Sequence, residues 1–438
     1  MTNIALVVLD TLRKDAFDRH FDWLPGQRFE DAWSTSHWTV PSHGSLFTGK
    51  YASEVGVYRN AETLDCDEPV LAEQLRSAGY TTRAFSGNVN ISRQFDFHRG
   101  FDQFEGSWRL REVDRNMFDW DGFIAKTEGM GVKRFPLAFW KCITSDCNTI
   151  PSFRYGALLK LRDMGYGTDL VDDGARDALS LIRQTDFGEK EFFFMNLMEA
   201  HSPYSAPEEY RTVEPPEISG LNATINEPED DPNQIRKAYD DEVRYLSDMY
   251  RKMFEELHDD FSLIITVSDH GELLGEHGAW EHMYGIYPEL AHIPLCVYDG
   301  EDETETRSET VSILDVYRTI LNAAGVDSES RGRDLSEPLE SGEYLTEYHG
   351  ISDRHYHKLK NDGHADIEHF NDELRGIATD GYYGHETFDG FEEHGERVHS
   401  DPKERLSQLV SQLTVRETHD DIELTDSIKR QLEDLGYA

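Results

Sequence analysis

The sequence is poor in cysteine and lacks long apolar runs. Its 438 residues include four cysteines, which form no CxxC pair and are too few for a disulfide framework. No stretch approaches the roughly 18 apolar residues of a membrane-spanning helix. The opening residues Met1–Leu6 enter a predicted strand without the charged and apolar segments of a secretory signal. We therefore expect a cytoplasmic protein with no stable membrane insertion.

Basic residues are also scarce: 43 Lys and Arg stand against 86 Asp and Glu, which gives a formal net charge of −43. The acidic residues are spread along the whole chain. Because no broad basic face is available, this composition argues against nucleic acids or anionic membranes as partners. An evenly negative surface is typical of proteins from salt-loving archaea, where salt screens self-repulsion. A substrate that carries phosphate or sulfate would need a local cation in this protein.

The stretch Phe261–Gly278 holds the strongest candidate site. Leu263–Val267 is a short, β-branched apolar run and predicts a buried strand. Asp269 and His270 follow it directly, and His277 lies in the glycine-rich loop beyond. Ligands collect past the carboxyl ends of strands in α/β sheets, and carboxylate and imidazole are common metal ligands. The alternative for these residues alone is a polar turn after a core strand.

Two further predicted strands end at candidate ligands. Asn3–Leu9 ends at Asp10, which is either a metal ligand or the N-cap of a helix. Glu191–Met198 is nearly continuous in apolar residues, as buried parallel strands are, and it is followed by His201. A solvated turn is the alternative for that histidine. His282 adds one more imidazole further along the chain.

A threonine precedes a predicted helix. Pro41 and Ser42 favour a helix start, and Gly49 favours its end. Thr39 would then lie just before the helix N-terminus, where backbone N–H groups and the helix dipole favour an anion. A metal can ionise a hydroxyl there so that it attacks a phosphorus or sulfur centre. The alternative is a capping loop rich in Ser and Thr.

The remaining patterns alternate strands with helices, which predicts an α/β fold. We predict strands at Thr81–Ser86 and Ile293–Tyr298, and helices at Pro69–Gly79, Leu170–Arg183, Tyr239–Leu257 and Ser312–Ala324. Residues 117–165 are richer in basic and aromatic residues than the rest. They are either a cap that supplies cations such as Lys133 or Arg134, or a peripheral helical hairpin.

The character of the chain changes beyond about Arg331. We predict strands at Tyr344–Glu347 and Arg375–Thr379, a hairpin at Asp380–Gly390, and helices at Glu404–Leu413 and Asp426–Leu435. Residues 1–330 would thus form the catalytic domain, and residues 331–438 a smaller C-terminal subdomain.

Taken in order, these motifs resemble the sulfatase branch of the alkaline phosphatase superfamily. The order is strand–Asp10, Thr39 in TVPSHGSLFTG, strand–HSPY from His201, and strand–DHGELLGEHG from Asp269. The likeness continues through AFSGN at 84–88, FHRGFDQF at 97–104, DPKE at 401–404 and LGY at 435–437, so it covers almost the whole chain. It implies a three-layer α/β sandwich with a central, mainly parallel sheet, and a small C-terminal α+β subdomain.

The resemblance also implies roles for site residues. Three residues match metal ligands of the family: Asp10, Asp269 and His270. Thr39 matches the nucleophile, whose oxygen also contacts the metal. His201 and His282 match positions that contact the substrate's charged oxygens or the leaving group, and His277 is close enough in sequence to join them. This donor set fits Mn²⁺, Mg²⁺ or Ca²⁺, with Zn²⁺ as a further candidate.

Thr39 and His43 depart from the family's sulfatases. Those enzymes have a Cys or Ser, converted to formylglycine, at the position of Thr39 and an Arg at the position of His43. The changes resemble the threonine-nucleophile relatives: phosphodiesterases, phosphatases and phosphoglycerol-type transferases. We predict a metal-dependent hydrolase or transferase acting on a small-molecule, glycan-linked or lipid-linked phosphate or sulfate ester. The alternatives are a sulfatase acting on sulfated glycans and a non-catalytic binding protein. The sequence predicts no oligomeric state.

Overall fold

A computed structural model describes residues 2–107, 174–216 and 230–418 except 362, 365 and 366, with scattered positions within 118–156 and 218–228. The strands are β1 (Ile4–Leu9), β2 (Gly26–Trp33), β3 (Thr81–Ser86), β4 (Gln103–Gly106), β5 (Glu191–Leu197), β6 (Leu263–Val267), β7 (Leu273–Leu274), β8 (Trp280–Glu281), β9 (Leu295–Tyr298), β10 (Thr304–Ser312), β11 (Glu343–Tyr348), β12 (Leu374–Thr379), β13 (Tyr382–Thr387) and β14 (Gly390–His394).

The helices are α1 (Lys14–His20), α2 (Thr39–Thr48), α3 (Ala52–Val55), α4 (Leu71–Ser77), α5 (Arg134–Thr144), α6 (Ala175–Gln184), α7 (Pro232–Leu257), α8 (Pro288–Ala291), α9 (Ile313–Ala323), α10 (Asp353–Asn361) and α11 (Pro402–Val410). Among the residues described here, no helix combines the length and the apolar character needed to cross a membrane. The predicted helix Asp426–Leu435 and Lys133 lie outside the described residues.

The main sheet has eight strands in the order β10-β2-β9-β6-β1-β5-β3-β4. Strands β6, β1, β5, β3 and β4 run parallel, whereas β9 runs antiparallel to both of its neighbours. Every residue of β1, β5 and β6 is buried, as their apolar sequences predict. The prediction of a mainly parallel central sheet is confirmed. Because β1, β5 and β6 are parallel neighbours, the residues that follow them emerge at one edge of the sheet.

Helices cover both faces of this sheet. On β1, Ile4 and Leu6 pack into a core shared with α2, α4 and α9, whereas Ala5 and Val7 pack against α1, α6 and α7. The alternation follows from the strand period of two residues. The architecture is therefore the predicted three-layer sandwich.

Three strands of the main sheet were not predicted from the sequence: β2, β4 and β10. Strand β2 reads GQRFEDAW, in which charged residues interrupt any regular alternation of apolar positions. Strand β10 reads TETRSETVS and lies at the sheet edge, with its first six residues exposed or half-buried. Strands β2 and β10 are held by pairing with neighbours distant in sequence, which a local pattern does not reveal.

The C-terminal part forms a four-stranded antiparallel sheet, β11-β12-β13-β14. Leu406 of α11 packs on it, in contact with a cluster that includes Leu345, Ile377 and Tyr382. This is the predicted small α+β unit. It is joined to the main sheet by a bridge between Ser36 and Glu347. The division of the chain into domains at residue 330 stays a prediction.

The segment predicted as a cap contains α5. Several of its described residues form an apolar cluster of their own: Phe118, Trp120, Phe123, Ala138 and Cys142. Arg134, a predicted source of positive charge, is the first residue of α5 and is half-buried. Whether this segment covers the site stays a prediction.

Candidate active site

Four buried polar side chains meet at one edge of the main sheet. Asp10 follows β1, Asp269 lies two residues past β6, Asn196 belongs to β5 and Asn88 lies two residues past β3. All four are at most 1% exposed. The parallel order of these strands brings residues that are far apart in sequence into one polar cluster.

Asp10, Asp269 and His270 form a cradle for a metal ion. One ligand atom from each lies within 4.8 Å of the others. His270 Nε2 is 3.9 Å from Asp10 Oδ1 and 3.5 Å from Asp269 Oδ2. Neither of these two carboxylate oxygens has a hydrogen-bond partner among the described residues, although both are buried. Two such oxygens and one imidazole nitrogen facing a common point fit a divalent cation.

The outer oxygen of Asp10 is held by two asparagines. Asn88 Nδ2 donates to Asp10 Oδ2 over 2.8 Å, and Asn196 Nδ2 does so over 3.4 Å. These bonds fix the carboxylate so that Oδ1 faces the cradle. Ligand carboxylates in metal sites are oriented by outer hydrogen bonds of this kind.

Backbone amides hold the outer oxygen of Asp269. The N–H groups of His270 and Thr11 donate to Asp269 Oδ1 over 3.0 and 3.4 Å. Thr11 has a φ of 57°, an unusual value for a β-branched residue. Strained backbone of this type is found at functional sites, and here it directs the Thr11 N–H towards a metal-binding carboxylate.

His270 is fixed as the neutral tautomer that binds metal through Nε2. Its Nδ1 donates to the Gly271 carbonyl over 2.9 Å, which leaves the Nε2 lone pair facing the carboxylates. Burial and the nearby His282 push the pKa of His270 well below its usual range. A Cβ atom at Gly271 would lie 2.0 Å from the Glu289 carbonyl oxygen, so only glycine fits here.

Ionising both Asp10 and Asp269 in this buried site costs free energy unless a cation lies between them. Burial raises the pKa of Asp10 to about 6, with hydrogen bonds from Asn88 and Asn196 opposing the shift. Burial, reinforced by the charge of Asp10, raises the pKa of Asp269 well above its usual range. Like charges in a buried site disfavour double ionisation unless a cation lies between them. The charge balance therefore agrees with the geometry of the cradle.

Thr39 lies beside the cradle. Its Oγ1 is 3.2 Å from His270 Nε2, and the residue is fully buried. The sequence placed Thr39 just before a helix that starts at Pro41. In the structure Thr39 is itself the first residue of α2, and Trp38 is the N-cap. The helix begins earlier because Pro41 occupies the first turn, where its missing N–H is no loss.

His43, one turn after Thr39 in α2, links this helix to the cradle. Its Nδ1 donates to the Thr39 carbonyl over 2.9 Å, and its Nε2 accepts from Asn196 Nδ2 over 3.1 Å. Nδ1 is also 3.5 Å from Asp269 Oδ2. Burial lowers the pKa of His43 to about 4, opposed only in part by the bond to Thr39, so the ring is neutral.

Two of the predicted histidines lie next to the cradle. The ring of His282 is 4.6 Å from that of His270 and 5.1 Å from that of His201. His282 Nδ1 donates to Glu272 Oε1 over 2.9 Å, and Tyr204 donates to the other oxygen of Glu272 over 3.2 Å. Burial lowers the pKa of His282, but the charge and hydrogen bond of Glu272, together with the charges of Glu281 and Asp10, raise the pKa above its usual value.

His277 lies in a different environment. Its Nε2 is 3.2 Å from Glu289 Oε2, and its ring stacks on Tyr287 at 4.0 Å. It is exposed, whereas His201 and His282 are buried. The structure thus brings together Thr39, His201 and His282, but it places His277 with Glu289 and Tyr287. A catalytic role for His277 stays a prediction.

The sequence model described as Sulfatase matches residues 3–326. The chain belongs to the Sulfatase family. Choline-sulfatase of Rhizobium meliloti is 24% identical over 375 residues, which cover 75% of this chain and 68% of that protein. A low-salt glycan biosynthesis sulfotransferase of Haloferax volcanii is 30% identical over 104 residues, 22% of this chain and 26% of that protein.

A solved relative shares the fold. A phosphonate monoester hydrolase from Silicibacter pomeroyi superposes with a TM-score of 0.59 and 17% identity, over 94% of each chain. At that identity the likeness shows the fold alone. It agrees with the sandwich described above and leaves the reaction to be argued from the site.

Sequence reasoning missed several residues that shape this Sulfatase-family site. Asn88, Asn196 and Glu272 were not predicted to act there, although Asn88 closes the AFSGN motif and Glu272 belongs to DHGELL. Each lies at or just past the end of a strand or in the loop after it, which was the available signal. His43 was noted only as the replacement of an arginine.

Proposed function

We propose that this Sulfatase-family protein is a metal-dependent hydrolase or transferase of phosphate esters, with Thr39 as its nucleophile. One observation carries the proposal: the Thr39 hydroxyl oxygen is 3.2 Å from His270 Nε2, beside two inward-facing carboxylates. A hydroxyl in that position is placed to act on an ester bound at the cradle. The proposal rests on this geometry and on the family assignment.

Asp10, Asp269 and His270 would hold the metal, with Thr39 Oγ1 as a further donor. The oxygen-rich set favours Mn²⁺, Mg²⁺ or Ca²⁺, and Zn²⁺ remains a candidate. When bound, the ion would lower the pKa of the Thr39 hydroxyl and neutralise negative charge on the substrate. The N-terminus of α2 adds its positive dipole end at the same place.

The protein's own groups account for the remaining steps. The Thr39 oxygen, having released its proton to solvent, forms a bond to phosphorus while the bond to the leaving oxygen breaks. His282 gives its Nε2 proton to that oxygen, since Nδ1 is engaged by Glu272. Water, or an acceptor alcohol in a transferase, then attacks the phosphothreonine. Breakage of the bond between Oγ1 and phosphorus restores Thr39, whose oxygen takes back a proton from solvent, while the proton that the water or alcohol loses returns to His282.

A pocket beside His282 gives room for the rest of the substrate. Its lining includes His37, Trp38, Arg59 and Ile351. It thus offers apolar surface together with Arg59, which is ion-paired with Asp353 at 3.0 Å, and with the carboxylate of Glu62. Such a lining suits the organic part of a small or a glycan-linked or lipid-linked ester.

A sulfate ester is the second candidate substrate. It is favoured by the similarity to a protein named choline-sulfatase and to one named a sulfotransferase. The argument against it is chemical, because a threonine cannot become the formylglycine of the family's sulfatases. A binding protein without activity is the third candidate. The complete set of Asp10, Thr39, Asp269 and His270 counts against it.

The proposal is tested with nitrophenyl phosphate, bis-nitrophenyl phosphate and nitrophenyl sulfate, assayed in high salt with Mn²⁺. We expect turnover of a phosphate ester, loss of that turnover on chelation, and loss in Thr39→Ala. Thr48→Ala is the matched control, because this buried threonine lies in the same helix and its hydroxyl bonds backbone groups, the Gly44 carbonyl and the Lys50 N–H. Turnover of the sulfate alone, or activity retained in Thr39→Ala, would overturn the proposal. Inactivity on all three esters in protein shown to bind metal leaves a transferase that requires its own acceptor.

A further inference from the structure

The hairpin β13–β14 carries a second cluster of ligand-type side chains. His385 pairs directly with Glu392 across the two strands, and Tyr383 pairs with His394. Residues two apart on a strand share a face, so His385, Glu392 and His394 all project from the same side of the hairpin. One ligand atom of each lies within 4.8 Å of the others. This cluster belongs to the C-terminal sheet and shares no residue with the cradle around Asp10.

The environment of His385 independently favours an ion at this cluster. Its side chain is 0% exposed, yet neither ring nitrogen has a hydrogen-bond partner among the described residues. The ring lies parallel to those of Tyr383 and His394, at 5.0 and 5.5 Å. A buried imidazole with both nitrogens unsatisfied is destabilising in itself. The cost is reduced if one nitrogen binds an ion.

The charge around the cluster also favours a cation. Tyr287 meets the ring of His385 edge-on at 5.9 Å. Burial raises the pKa of Tyr287, and the charges of Glu392, Asp389 and Glu289 raise it further. Three carboxylates therefore lie close enough to act on a single phenol. A divalent ion held by His385 would lie in the negative potential that they create.

We propose that His385, Glu392 and His394 form a second metal site that binds Zn²⁺. Two imidazoles and one carboxylate are a common zinc donor set, whereas Mg²⁺ and Ca²⁺ prefer oxygen ligands throughout. Glu392 and His394 are exposed, so solvent completes the coordination. The ion links two adjacent strands and holds the hairpin beside Tyr287, on whose ring His277 stacks. The site therefore has a bracing role for the C-terminal sheet.

The zinc site can be tested by substituting its two exposed ligands. His394→Ala and Glu392→Gln alter side chains at the surface, so neither change threatens the core. His357→Ala is the matched control, since it removes an exposed imidazole from α10, outside the cluster. All four proteins are prepared without a histidine tag, stripped with a chelator and dialysed against Zn²⁺. Bound zinc is then counted per chain.

We expect wild type and His357→Ala to bind one more zinc per chain than His394→Ala and Glu392→Gln. Zinc should also raise the melting temperature of wild type by more than that of His394→Ala, because the ion binds the folded hairpin. Turnover of the nitrophenyl phosphate esters with Mn²⁺ should stay within about twofold of wild type in His394→Ala, which separates this site from the proposed catalytic one. Equal zinc counts in all four proteins would overturn the proposal.

Discussion

Thr39 Oγ1 lies 3.2 Å from His270 Nε2, although 231 positions separate these residues in the chain. The first turn of α2 is therefore set against the carboxyl end of β6. His43 reinforces the arrangement, since it bonds the Thr39 carbonyl and lies 3.5 Å from Asp269 Oδ2. The proposed nucleophile and the proposed metal ligands are therefore buried side by side. Because they are different side chains, substitutions can test the chemistry and metal binding separately.

Thr39→Ala should lower turnover by at least about 10³-fold while metal binding persists, because the carboxylates and His270 remain. Thr39→Ser keeps a hydroxyl and should retain measurable activity. Rates, bound metal and acid-quenched protein are compared. Mass spectrometry should find a phosphoryl group on residue 39 in wild type and in Thr39→Ser. A phosphorylated intermediate at any other residue would contradict the assignment of the nucleophile.

The central strands could be predicted from the sequence because they are apolar on both faces. Leu263–Val267 was predicted with the bounds that the structure shows, and so was Thr81–Ser86, although its sequence TTRAFS is only partly apolar. The edge strand Thr304–Ser312 was not, because its exposed residues carry no burial pattern. Its position depends on pairing with Gly26–Trp33, nearly 280 residues earlier. Long-range pairing of this type lies outside any local window.

Local sequence indicated the candidate ligands but not the groups that orient them. Asp10 and Asp269 were predicted because each follows an apolar strand. Asn88 and Asn196 gave no comparable signal: one ends a loop motif, and the other lies inside a strand. Their role depends on which strands are neighbours, and the order β6-β1-β5-β3 is a property of the folded sheet.

Asn88→Ala should weaken metal binding by about 10–100-fold, since outer hydrogen bonds orient ligand carboxylates. The change removes the 2.8 Å bond to Asp10 Oδ2 and lets the carboxylate turn away from the cradle. Mn²⁺ affinity is measured by titration calorimetry. Asn322→Ala, at an exposed asparagine of α9, is the control and should bind as wild type does. Unchanged affinity in Asn88→Ala would mean that Asp10 is oriented without this bond.

His282→Gln should lower turnover more for esters with poor leaving groups than for esters with good ones. A nitrophenolate leaves without protonation, whereas an alkoxide requires the proton that we assign to His282. We expect a loss of about 10²–10⁴-fold on an alkyl phosphate ester and a much smaller loss on a nitrophenyl ester. Rates on a series of esters with graded leaving-group pKa measure the difference. Equal losses across the series would assign His282 to binding and not to proton transfer.

His349 should make stability depend on pH. Its ring nitrogens lie 3.5 Å from Glu347 and 3.5 Å from Glu373. Burial lowers the pKa of His349, but these carboxylates raise it above the usual value of the histidine. Because the folded-state pKa is raised, the stabilisation is complete below the unfolded pKa and is lost as pH rises through the folded one.

The melting temperatures of wild type and His349→Gln should therefore differ most near pH 6 and converge in alkaline solution. The gap is on the order of 1–2 °C, because the chain is long and each kcal/mol moves its melting point little. Scanning fluorimetry between pH 6 and 9 measures it. His357→Gln, at an exposed position, should show no such dependence. If the difference in melting temperature instead grew as the pH rose, His349 would not be stabilised by the two carboxylates as proposed.

Salt should stabilise this protein over a limited range of concentration. The net charge is −43, and acidic side chains cluster on the surface, as at Asp299, Glu301, Asp302 and Glu303, which are all exposed. Screening shortens the Debye length from about 10 Å at 0.1 M to about 3 Å at 1 M, so repulsion between such neighbours is largely removed within that interval.

The melting temperature should rise steeply up to about 1 M KCl and then more slowly. Sucrose, which strengthens burial without screening, should give no steep initial rise. If KCl and sucrose gave the same gradual slope, repulsion between surface carboxylates would not be what salt relieves.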